Sequence, residues 1–355
     1  MRHALGIVVA ALLSIAVPAH AAPPATAPAE RFTGAQTVLA LEADSSKVDA
    51  NDAARWACNV LLAMHAADEK DLAQGRDNAA VQQAWCSRWI SDFRAAAGGG
   101  ACTIIGVTES EWILDGGFAL YVPVPAAGDV ERVEEVLGGG PAARRRKQAQ
   151  PRHRFDWHTD VKIWPGRIVG YCVGATQAPP APNEPHRPQF AEAFASTGEG
   201  AAAAPAAARI VLVPDAKMRE QFEQNTSPAA WRFIEPMRWL LIRYDAAPLP
   251  LKVPSKLTVT YRARDAAAAG AIAAAWEELI EKLYAGAGLE AAEVQQIVHR
   301  LRPTVDSERV VLSIAADELP QLIADARPSI RKAWRVPKSD RSKSARGGGI
   351  EVGYH

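Results

Sequence analysis

Between Leu257 and Ile314 the apolar residues keep one period, change to another and then return to the first, and few folds can accommodate that sequence of changes. Leu257, Val259, Tyr261 and Ala263 alternate with Thr258, Thr260 and Arg262, the period-2 pattern of a strand with one buried and one wet face. The period then lengthens to that of a helix. Asp265 is placed to cap it, Ile272, Trp276, Leu279 and Leu283 form the expected buried stripe, and Gly286 and Gly288 stop it. A second helix follows with Val294, Ile297, Val298 and Leu301 on one face, and Pro303 ends it because its ring cannot continue the hydrogen-bond ladder. The chain returns as a strand through Val310, Leu312 and Ile314, after which Asp317 is placed to start another helix. Strands that are wet on one face need helices on the other, so the unit predicts an α+β protein.

The amino terminus reads as an address. Arg2 and His3 precede an apolar run from Ala4 to Val17, and Pro18 leads to the small-residue site Ala19-His20-Ala21. This is the pattern of a secretory signal peptide over 1–21. No later run is long enough to cross a bilayer, so the expectation is an exported protein, periplasmic or extracellular after cleavage. Removing 21 of 355 residues leaves 334, a length that suits two domains or one large one. Forty Lys and Arg balance forty Asp and Glu, which gives no overall field to attract nucleic acid.

After an Ala/Pro-rich lead over 22–36, the first half spans 37–176. It holds a strand from Thr37, an αα-hairpin carrying Trp56, Trp85, Trp89 and Phe93, and a strand at Thr103 to Val107. A strand at Phe118 to Val124 follows, then a short helix capped by Asp129, a basic surface insertion over 141–160, and a hairpin turning at Pro165-Gly166. A Pro-rich linker, 177–188, leads to the second half over 189–335, and a basic tail occupies 336–355. Aligned by role, Phe118 to Val124 matches Leu257 to Ala263, Asp129 matches Asp265, and Ile168 to Val173 matches Val310 to Ile314. The fold expected is therefore mostly antiparallel, hairpin-rich sheets with helices packed on one face, in two related halves.

Strands ending in Val-Pro (Tyr121-Val122-Pro123 and Val211-Leu212-Val213-Pro214), the Met237-Arg238-Trp239 strand, the Ala-rich helix after Asp265 and Val310-Val311-Leu312 together give a chain that resembles uncharacterised exported proteins of planctomycete-type bacteria. The resemblance implies no catalytic residue, and none is carried over.

Candidate chemistry is sparse. No G-x-S-x-G, P-loop, G-x-G-x-x-G, H-E-x-x-H or EF-hand pattern occurs, and no cofactor is implied. Export permits disulfides among Cys58, Cys86, Cys102 and Cys172, a Cys58–Cys86 helix bridge and a Cys102–Cys172 strand bridge being one of three pairings. The alternative is that these are buried thiols. His153, Asp156 and His158 are residue types that ligate divalent metals, although a spacing of five puts the two histidines on one face of neither helix nor strand. The aspartates Asp129, Asp215, Asp265 and Asp317 each stand where a strand passes into a helix, and capping explains all four. Trp112 and Trp157 lie in loop-like surroundings and are the two tryptophans that are candidates for a sugar or partner surface, the alternative being ordinary packing under a loop. The function expected is that of an exported, non-catalytic binding or scaffold protein of the cell envelope, its ligand or protein partner unidentified. The alternative is a carboxylate-dependent hydrolase or carbohydrate-active enzyme, for which Glu109 and Glu111 beside Trp112 are acids of the required type.

Overall fold

The computed structural model describes residues 29–45, 87–99, 102–109, 117–138, 159–173, 179, 187–196, 206–225, 228–245 and 256–334. They build one ten-stranded sheet flanked by helices. The strands are β1 (Thr37–Asp44), β2 (Thr103–Glu109), β3 (Phe118–Pro123), β4 (Thr159–Trp164), β5 (Ile168–Val173), β6 (Ala208–Leu212), β7 (Met237–Asp245), β8 (Lys256–Ala263), β9 (Thr304–Asp306) and β10 (Arg309–Ala315). The helices, besides a helical segment over 87–96, are α1 (Val130–Leu137), α2 (Pro188–Ala195), α3 (Ala216–Asn225), α4 (Pro228–Ile234), α5 (Ala266–Ala285), α6 (Ala291–Arg300) and α7 (Leu319–Trp334). Among the described residues no helix is long and apolar enough to cross a membrane.

The sheet order is β4-β5-β3-β2-β1-β6-β7-β8-β10-β9. Every pairing is antiparallel. Read outward from the β1·β6 seam, the two sides have the same topology: β1-β2-β3-β5-β4 on one, β6-β7-β8-β10-β9 on the other. The equivalence of Phe118 with Leu257 also holds through the registers. Carried from ladder to ladder, it puts Val173 on Ile314, Ile105 on Leu241 and Leu41 on Ile210, and Leu41 and Ile210 are themselves a directly opposed pair at the seam. The halves are therefore related by a pseudo-twofold through that pair. The two halves share one sheet.

Most helices lie on one side of this sheet. Phe93 and Ala96 of the 87–96 segment, with Val133 and Val136 of α1, pack on Leu41, Ile104, Val122, Val169 and Ile210. Across the seam, Ile280 and Tyr284 of α5, Val294 and Val298 of α6 and Leu322 of α7 pack on Leu312, with Val259 at their margin. Each half ties two helices together in the same way: the Trp89 indole N–H donates to the Val136 carbonyl at 3.2 Å, and that of Trp276 to the Leu301 carbonyl at 3.0 Å. The buried stripe of α5 differs from expectation. Ile272 is in it, but Ile280 and Tyr284 replace Leu279, which is 40% exposed. Tyr284 settles the rotation, since its hydroxyl donates to the Leu322 carbonyl at 2.9 Å and locks α7 onto the same face.

Among the described residues only α2 and a short 3-10 turn, Ala29–Phe32, cover the opposite side, through Phe190, Ala193, Phe194 and Phe32 over Ile105, Tyr121, Val211, Trp239 and Leu241. Arg187, at the head of α2, holds it across the seam: its guanidinium donates to the carbonyls of Thr37 (2.8 Å), Val213 (2.8 Å) and Pro214 (3.1 Å).

Cys102 and Cys172 do not form the predicted bridge. Both are buried thiols. They lie on opposite sides of the sheet, Cys102 in the core under the 87–96 segment and α1, Cys172 in the core under α2, so no side-chain rotation joins them. Cys58 and Cys86 lie outside the described residues.

Candidate functional site

Beneath α2 the core of the second side stops at β7, and no hydrophobic cluster among the described residues continues it over β8 and β10. Most side chains there are polar. Directly opposed residues share a face, so the ladders line up Glu42, Arg209, Arg243, Thr258 and Ser313 in one row across five strands. The row beside it runs Ala40, Val211, Leu241, Thr260 and Val311, apolar except at β8.

Two arginines directly opposed would repel each other, and each is offset by its own carboxylate. Arg209 Nη2 lies 2.8 Å from Glu42 Oε1, and Arg243 Nε lies 2.7 Å from Asp245 Oδ1. Arg209 is held further by the Phe194 carbonyl at 2.8 Å and by the Phe194 ring, whose centroid is 4.9 Å away. A second charge cluster borders the row where α2 ends its cover. Arg262 pairs with Glu308 at 2.7 Å and reaches Glu192 of α2 at 3.7 Å, while Arg238 lies 3.4 Å from Glu192. Thr258 and Thr260 are buried between these groups and Ser313 is exposed at the end of the row. The result is a strip of guanidinium, carboxylate and hydroxyl groups fixed on strands, buried at Arg243, Thr258 and Thr260 and open to solvent at Ser313.

Among the described residues, the groups whose ionisation is raised by burial are a thiol and four phenols. Burial, and then the nearby Asp44 charge, push the Cys102 thiol up to about 12. Burial likewise raises Tyr121, Tyr171 and Tyr261, and pushes Tyr284 up to about 12. These side chains stay protonated. Glu278, fully exposed, is lowered by its hydrogen bond to Lys282, a helix-surface pair.

Of the residues singled out in the sequence, His153, Asp156, His158, Trp112, Trp157 and Glu111 lie outside the described residues. No group of three His, Cys, Asp or Glu among the described residues converges as a metal site. Glu109 ends β2, half-buried. Three aspartates cap: Asp129 accepts from the Arg132 N–H at 3.0 Å, Asp215 from Met218 at 2.7 Å and Asp265 from Ala268 at 2.7 Å. Asp317 sits exposed in the turn before α7, which begins at Leu319. Sequence reasoning missed the polar strip itself. Its signal was available in the alternation of β8, where Thr258, Thr260 and Arg262 form the face assigned to water.

No protein family matches the chain, and no curated protein matches it. A solved structure, that of crystal form I of TP0453, aligns over 85% of this chain and 98% of that chain at 11% identity, with a TM-score of 0.35. A likeness at that level transfers nothing to the strip.

Proposed function

We propose that this is an exported, non-catalytic binding or scaffold protein of the cell envelope, and that it holds a polar ligand at the exposed Ser313 end of the row that starts at Arg209. The observation that carries the reading is the pairing within the strip. Its arginines are neutralised by Glu42, Asp245, Glu192 and Glu308 on fixed strands, an arrangement that presents hydrogen-bonding groups in place without leaving a charge to drive turnover. The signal-peptide pattern over 1–21 supports the address.

Native mass spectrometry of protein purified gently from its own cells tests the proposal. The expected result is a reproducible mass above that of the chain, lost in Ser313→Trp, which blocks the exposed end of the row without entering the core. A bare chain, or a bound mass that Ser313→Trp leaves in place, overturns the assignment. Substrate turnover by the purified protein overturns the non-catalytic reading.

A further inference from the structure

The two ends of the sheet are unlike each other. β9 closes one end with three residues, preceded by Pro303, a short edge of the kind that resists pairing. β4 closes the other with six residues and, among the described residues, ladders with β5 alone. It carries Ile163, 46% exposed, one of the few large apolar side chains left in solvent among the described residues. On the polar side of the same strand, Lys162 and Asp160 form an ion pair at 3.0 Å, their side chains 50% and 39% exposed.

We propose that the outer edge of β4 is a self-association surface, pairing antiparallel with β4 of a second copy of this chain about a twofold axis at Val161. The charge pattern selects both partner and register. Centred on Val161, Asp160 stands directly opposite the partner's Lys162, and Lys162 opposite the partner's Asp160. Directly opposed side chains lie about 5 Å apart, so each charge gains an opposite neighbour across the twofold in addition to the ion pair within its own strand. Like charges fall on the diagonal. Moving the centre by one residue removes the match, because a pair centred on Asp160 sets aspartate against aspartate and one centred on Lys162 sets lysine against lysine. On the other side of the strand Val161 meets the partner's Val161. Such a contact is isologous and closes as a dimer, joining two ten-stranded sheets edge to edge.

Sedimentation equilibrium of the purified protein tests this with two charge reversals at exposed positions. The wild-type chain should show a reversible monomer–dimer equilibrium. Asp160→Lys and Lys162→Asp should each weaken dimerisation at least about tenfold, since each sets like charges opposite one another twice. Mixing the two variants should restore the dimer as a heterodimer, one strand then carrying two acids and the other two bases. A wild-type chain that stays monomeric at high micromolar concentration overturns the proposal, and so does a single variant that dimerises as well as the wild type. Failure of the mixture to recover, with both variants folded, overturns the assigned register.

Discussion

Cys102 holds its thiol in the core next to Asp44, with no disulfide to protect it and little freedom to ionise. An ordinary thiol ionises near 9.0, and this one is pushed up to about 12. Between those values the unfolded chain gives up a proton that the folded chain keeps. The folded state therefore has its full stability below about pH 9 and loses it as pH rises toward about 12, at about 1.4 kcal/mol per pH unit for one such group. Tyr121, Tyr261 and Tyr284 act in the same direction. Urea unfolding midpoints from pH 7 to 11 should be flat and then fall, and Cys102→Ala should make the fall shallower whatever its effect at pH 7. An unchanged slope would show that this thiol does not contribute. The sequence could count the cysteines but could not assign Cys102 and Cys172 to opposite sides of the sheet, because that depends on the parity of strand registers. Registers are set by pairing with distant residues, and Ala119 opposite Cys172 is an instance no local pattern contains.

At the scale of elements, the strand-to-helix aspartates give a controlled comparison. Asp265 accepts from the Ala268 N–H and starts the twenty residues of α5, whereas Asp317 stands outside α7 in an exposed turn. Asp265→Ala should cost about 1 kcal/mol of stability, and Asp317→Ala next to nothing, as measured by chemical denaturation of both variants. Equal losses would mean that the distinction between cap and turn has no energetic content. Most elements could be read from the chain because their signals are local: β8, α5, α6 and β10 fall where periodicity and caps put them. The short ones could not. α4, with only seven residues, begins at Pro228, and β9 has three, too few for a period to show. The stripe of α5 was misread by one position because Leu279 and Ile280 are equally apolar, and only the tertiary bond from Tyr284 to Leu322 decides which turns inward.

For the whole molecule, the shared sheet fixes how the halves respond to stress. With β1 and β6 paired over five residues and Leu41 and Ile210 in one core, neither half can open without exposing an edge and part of the other's core. Calorimetry should record one transition whose van 't Hoff and calorimetric enthalpies agree. Two resolved transitions would mean that the halves are separate units. The likeness of the halves was visible in the sequence as an order of elements, but their fusion into one sheet was not, since nothing around Leu41 names Ile210 as its neighbour. That separation also governs how the protein is made. Leu41 must wait for a partner 169 positions further along the chain, and at about 5–20 residues per second a ribosome takes roughly ten to thirty seconds to supply it. Through that interval a strand destined for the middle of the molecule has one side unoccupied, and any other nascent chain within reach can compete for the place reserved for β6.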